Sequence, residues 1–174
     1  MTRPLTICAA FLMGISSGAQ VLTISPKDHA RWTSKLTENE RHILLPALQE
    51  ATGEHNADVL KLFSAFEVPL SKADAPVIVA TSIKDCGNHG NCEFLVFRKQ
   101  TAAYVPILDS IAGDWDLKDT RHHGYRDIVL TDYQGAHWII STWEYDGRRY
   151  HVSACTERTT DGTQDQKPLR VCGS

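Results

Sequence analysis

The sequence predicts a secreted α+β domain in which two N-terminal helices pack on an antiparallel, meander-like sheet, with two disulfides bracing the frame. Three observations lead there. The chain opens with an export signal, its hydrophobic period changes from helical to strand-like near Pro76, and four cysteines follow the signal: Cys86, Cys92, Cys155 and Cys172. An even set of cysteines behind an export signal reads as a disulfide frame in an oxidising compartment.

Residues 1–19 carry one basic residue, Arg3, then an apolar stretch from Leu5 to Ile15 and small residues ending Ser17-Gly18-Ala19. This is the layout of a secretory signal cleaved before Gln20, and its apolar core is too short for a stable bilayer span. Cys8 is discarded with it. Of the 174 residues, 155 remain as a single domain over 20–174, long enough to bury a real core. Losing Arg3, with no acidic residue beside it, takes the formal charge from −3 to −4. So mildly acidic a chain has no phosphate-seeking footprint and no basic cluster for anionic lipid, so neither nucleic acid nor a membrane is an expected partner.

Thr37 and Glu40 have the spacing of a capping box. A helix is expected from about Glu38, burying Ile43, Leu44 and Leu48, kinked or split at Pro46 and stopped at Gly53. Asn56 is placed to cap a second helix whose apolar residues Val59, Leu60, Phe63 and Phe66 recur at helical spacing, with Pro69 just past its end.

Beyond Pro76, short β-branched and aromatic runs alternate with turn residues, and strands are expected at Val77 to Ile83, Glu93 to Lys99, Tyr104 to Ile111, Arg126 to Tyr133, His137 to Tyr145 and Arg148 to Cys155. Asp146-Gly147 reads as a two-residue type I′ turn. That register sets Tyr145 opposite Arg148, Glu144 opposite Arg149 as an ion pair, and Trp143 opposite Tyr150. One face then collects Ile139, Trp143, Tyr145, Tyr150, Val152 and Ala154, and the other Thr142, Glu144, Arg149, His151 and Ser153.

Four cysteines can pair in three ways. Cys86 with Cys92 and Cys155 with Cys172 is the favoured pairing, because the first two flank a tight turn between adjacent strands. The second bridge would pin the polar stretch from Thr156 to Pro168, and closing its loop of about 16 residues contributes roughly 3 kcal/mol. Zinc fits poorly, because the C-x5-C and C-x16-C spacings match no usual zinc module.

Gly14-Ile15-Ser16-Ser17-Gly18 matches the nucleophile-elbow pattern but lies inside the signal. The mature chain has no HExxH, CxxC or Walker loop. His122, His123 and Asp127 form the one candidate acid–base or metal cluster, although adjacent side chains of an extended segment point to opposite faces. Trp115, Trp138 and Trp143 are the aromatics a sugar- or peptide-binding module would display.

The sharper feature is Cys86-Gly87-Asn88-His89-Gly90-Asn91-Cys92, a cystine-closed turn with an imidazole at its centre, continued by Glu93-Phe94-Leu95-Val96-Phe97. These residues resemble the inhibitor-of-vertebrate-lysozyme family of periplasmic proteins, in which a short cystine-closed loop bearing a histidine plugs the lysozyme cleft. The resemblance implies that His89 is the inserted group, hydrogen-bonding the enzyme's catalytic carboxylates, with Asn88 and Asn91 beside it and Cys86 and Cys92 holding the loop. The loop here is one residue longer between its cysteines, has Gly90 in place of an acidic residue, and lacks the family's lysine and proline. The competing reading is a stapled hairpin turn whose Gly and Asn supply positive φ. The stretches HGYRDIVL and WEYDGRRY also resemble a hairpin pattern of small secreted bacterial proteins, which implies a fold and a compartment but no activity.

The expected function is non-enzymatic binding in the periplasm or outside the cell: an inhibitor or immunity-type protein for an envelope enzyme such as lysozyme, with no cofactor and no metal. The alternatives are a small hydrolase or metal-dependent enzyme using His122, His123 and Asp127, and an envelope sugar- or peptide-binding module.

Overall fold

A computed structural model describes residues 36–72, 77–83, 86–87, 89–159 and 167–168. The expected signal at residues 1–19 and Cys172 lie outside the described residues.

Helix α1, Glu38–Thr52, opens with the expected capping box: the Thr37 N–H donates to Glu40 Oε2 at 2.7 Å, and the Glu40 N–H donates back to Thr37 Oγ1 at 3.3 Å. Gly53 ends it in the left-handed conformation, φ +71°. Pro46 neither splits nor ends the helix. Pro46 and His42, whose carbonyl loses its partner, both lie on the exposed side, where water satisfies that oxygen.

The expected second helix is not formed. Asn56 does cap a turn, accepting from the Asp58 N–H at 2.8 Å, but only one 3-10 turn follows, Ala57–Lys61. The chain then extends as strand β1, Phe63–Val68. Phe63 and Ala65 pack toward α1, while Phe66 and Val68 enter the opposite core. A strand buried on both faces places apolar residues at both parities, and that pattern imitates helical spacing.

The expected single sheet is in fact two. β1 is followed by β2 (Val77–Ser82), β3 (Cys92–Gln100) and β4 (Ala103–Ala112) in one four-stranded sheet. The second sheet has four long strands, β5 (Asp114–His122), β6 (Tyr125–Gln134), β7 (His137–Tyr145) and β8 (Tyr150–Thr159), and the two-residue β9 (Lys167–Pro168). Every neighbouring pair is antiparallel and consecutive in sequence.

The sheets pack face to face, Phe66, Val79, Phe94 and Val96 meeting Trp115, Leu117, Ile128 and Tyr145. The Trp115 ring lies 6.0 Å from Phe66 and 5.5 Å from Phe94. A second core joins α1, through Leu44, Ala47 and Leu48, to the other face of the first sheet at Ile78, Ala80, Leu95 and Phe97. The described residues therefore form helix on sheet on sheet, and none of them packs as a further layer on the outer face of the second sheet. At Gly113, where the chain crosses between the sheets, an added Cβ would run into the Tyr133 ring.

The β7–β8 register also differs from expectation. Tyr145 pairs with Tyr150, Glu144 with His151 and Trp143 with Val152, so neither the Trp143–Tyr150 pair nor the Glu144–Arg149 ion pair forms. The connection is a four-residue turn in which Asp146 Oδ1 accepts the N–H groups of Arg148 at 2.7 Å and Arg149 at 2.8 Å. An aspartate that bonds its own turn in this way competes with the two-residue geometry. A bulge between Thr142 and Trp143 then leaves Ala154 exposed and buries Cys155. The tight two-residue turn occurs instead at His123-Gly124, between β5 and β6, with φ +47° and +84°.

Two disulfides are expected from the sequence; among the described residues one has both cysteines placed, Cys86–Cys92. Cys155 is disulfide-bonded as well, and Cys172, the expected partner, lies outside the described residues. No helix among the described residues is long and apolar enough to cross a membrane.

Candidate functional site

The Cys86–Cys92 loop follows from strand ends that already sit side by side. Thr81 pairs with Phe94, so the chain leaving β2 and the start of β3 are neighbours, and a disulfide with a Cα separation of 4.1 Å closes the gap. Within the loop, the Gly87 N–H donates to the Asn91 carbonyl and the Gly90 N–H to the Gly87 carbonyl, each at 2.8 Å. Gly90 takes φ +79°, where a side chain would be strained. His89 stands exposed at the turn. Asn88 lies outside the described residues.

Asn91, expected beside His89 at the partner contact, is bonded within the molecule. Its amide pairs with the backbone of Tyr133 as a neighbouring strand would: Nδ2 donates to the Tyr133 carbonyl at 2.8 Å, and the Tyr133 N–H donates to Oδ1 at 2.8 Å. Nδ2 also donates to Asp132 Oδ1 at 2.5 Å. The loop grows from the first sheet and is tied to β6 of the second, so the tip is held from two sides. Beside it lies a shallow cavity of about 510 Å³ lined by Gly87, Asn91, Glu93, Asp109, Ser110 and Ile111. Ile111 and Ile83, which flank the loop on β4 and just after β2, are the exposed large hydrophobic residues of the described chain, at 61% and 56%.

The second candidate comes together only in part. His122, at the end of β5, places Nδ1 2.7 Å from Asp127 Oδ1 on β6, and Thr120 Oγ1 donates to the other oxygen, Oδ2. Asp127 is 2% exposed, so this buried carboxylate is matched on both oxygens. His123 does not join them. It occupies the turn tip with its ring against Gly147, as the opposite pointing of neighbouring side chains requires. The third member is Glu144 of β7, whose Oε2 lies 3.5 Å from His122 Nε2. One ligand-type atom each from His122, Asp127 and Glu144 lies within 4.8 Å of the others. The hydrogen bond to Asp127 holds the His122 imidazole above its ordinary pKa, and the Asp127 and Glu144 charges outside it act the same way.

Sequence reasoning missed Glu144 because the assumed register assigned it to Arg149. The available signal was its place beside His151 on the polar face of the β7–β8 hairpin. The described tryptophans form no exposed row. Trp115 is buried between the sheets and Trp143 packs half-buried against the same core, while Trp138, alone of the three, sits on the outer face between Tyr133 and Arg158.

No protein-family model matches the chain, and no curated protein or solved structure is similar enough to serve as a relative.

Proposed function

We propose that this chain is a secreted, non-enzymatic binding protein that engages an envelope enzyme of the lysozyme type through the Cys86–Cys92 loop, with His89 as the inserted group. One observation carries the reading: the loop is closed by a disulfide, bonded internally and tied to β6 through Asn91, and yet leaves its imidazole exposed. A loop fixed before contact loses little conformational entropy on binding, which answers the flexibility that Gly87 and Gly90 would otherwise bring. The exposed Ile83 and Ile111 supply apolar area beside a polar tip, the composition of a contact surface with a central anchor. An imidazole suits a cleft lined by two carboxylates, since it donates to one and can carry the charge they lack.

The test is the clearing of cell-wall suspensions by several lysozyme types, with the oxidised mature protein or its His89→Ala variant. Dose-dependent inhibition by the parent and none by the variant is the expected result. Failure of the parent to inhibit any lysozyme discards this function and leaves the loop as a stapled turn.

A further inference from the structure

We propose that His122 and Glu144 form a binding site for a divalent transition-metal ion of the zinc type on the open side of the second sheet, with Asp127 as the positioning residue behind the histidine. The site is independent of the loop.

The hydrogen bonds around His122 fix which nitrogen faces outward. Asp127 Oδ2 is taken by the Thr120 hydroxyl, and Oδ1 lies 2.7 Å from His122 Nδ1. A carboxylate accepts only, so the Nδ1 proton points at Asp127, and whenever the ring is neutral Nε2 carries the lone pair on the side of Glu144. A carboxylate behind the imidazole is the usual support of a metal-binding histidine, fixing its tautomer and raising its basicity. In front, Nε2 and a carboxylate oxygen face each other at 3.5 Å, joined by a proton when the ring is charged and open to a metal ion in its place when the ring is neutral.

The imidazole nitrogen in the donor set, with a separation that a tetrahedral ion can span, selects the class of ion. Two ligands each about 2.1 Å from a tetrahedral zinc ion lie roughly 3.4 Å apart, whereas larger oxygen-seeking ions such as calcium take six or more oxygen ligands. The pair at 3.5 Å fits the former. Among the described ion pairs Glu144 meets no lysine or arginine, only His122, because the β7–β8 register places Arg149 in the turn and sets His151 opposite Glu144. Directly opposed residues share a face, so the exposed His151 lies on the same side of the sheet as Glu144. Water completes the shell.

Calorimetric titration of the oxidised full-length protein with Zn²⁺ tests the site, using the parent, His122→Gln, Glu144→Gln and, as a second exposed His–carboxylate pair, His137→Gln, whose Nδ1 lies 2.7 Å from Glu157. His122 is 45% exposed in its side chain, so its replacement leaves the core intact, and far-ultraviolet circular dichroism of each variant checks this. One saturable site is expected, weakened about tenfold or more in His122→Gln and Glu144→Gln and unchanged in His137→Gln. Co²⁺ bound in its place should show a tetrahedral visible spectrum that the same two variants lose. Absence of saturable binding, undiminished affinity in His122→Gln, or a loss that follows His137 instead would overturn the proposal.

Discussion

The two sheets use their residues differently. The first is covered on both faces, by α1 on one side and the second sheet on the other, and its central strands bury consecutive residues, 77–80 on β2 and 94–97 on β3. Among the described residues the second sheet has no layer packed on its other face, and there His122, Glu144 and His151 lie on the same side as the buried Asp127. Chemistry-bearing side chains collect where packing leaves a face free. The cystine loop belongs to neither sheet alone: it issues from the first and is fastened to the second by Asn91.

The largest effects should separate the sheets. Phe94→Ala removes a fully buried ring that meets Trp115 across the interface, and is expected to cost about 3–5 kcal/mol. Ile140→Ala, at a half-buried position on the second sheet, should cost about 1 kcal/mol or less. Urea unfolding measures both, and equal losses would mean that the open face is covered.

A middle-sized effect probes the fastening. Asn91→Ala leaves the Tyr133 N–H and carbonyl without their partner and is expected to cost about 1–3 kcal/mol, again read by urea midpoint. It should also raise amide exchange at Gly87 and Gly90 more than at β3 residues. Uniform exchange would show that the loop holds its shape without β6.

The smallest effect lies in the β7–β8 turn. The backbone N–H groups of Arg149 and Arg148 hold the Asp146 carboxyl below its ordinary value of 3.8. A depressed folded value stabilises the protein above the unfolded value, and that contribution is lost as the pH falls through the folded one. Asp146→Asn keeps an acceptor oxygen for the turn but cannot titrate, so its stability should decline less than the parent's below about pH 4. Identical acid profiles would remove Asp146 from the turn's account.

What could be read from the sequence follows the same division. α1 was legible because its capping box and Gly53 are local signals. β1 was not, because burial on both faces gave Phe63 and Phe66 a helix-like spacing. β5 escaped notice because its inward residues, Trp115 and Leu117, give only a short alternation before the irregular pairing that precedes Arg121. His122 and Asp127 were within reach, being joined across one tight turn. Glu144 was not, since its approach depends on β7 lying beside β6 and on an exact β7–β8 register that Asp146 resets. The disulfide at Cys86–Cys92 was legible from spacing, but Asn91 reads as a loop residue until β6 is seen behind it.

The most direct test of a loop that binds because it is held is the lysozyme-inhibiting potency of the parent against a Cys86→Ser, Cys92→Ser double variant. Opening so short a ring removes roughly 2 kcal/mol of chain-entropy stabilisation, which a domain with two apolar cores can absorb, so the fold should persist. Potency lower by about tenfold or more with an unchanged circular dichroism spectrum is the expected result. Undiminished potency in the variant, or no inhibition by the parent, would contradict it.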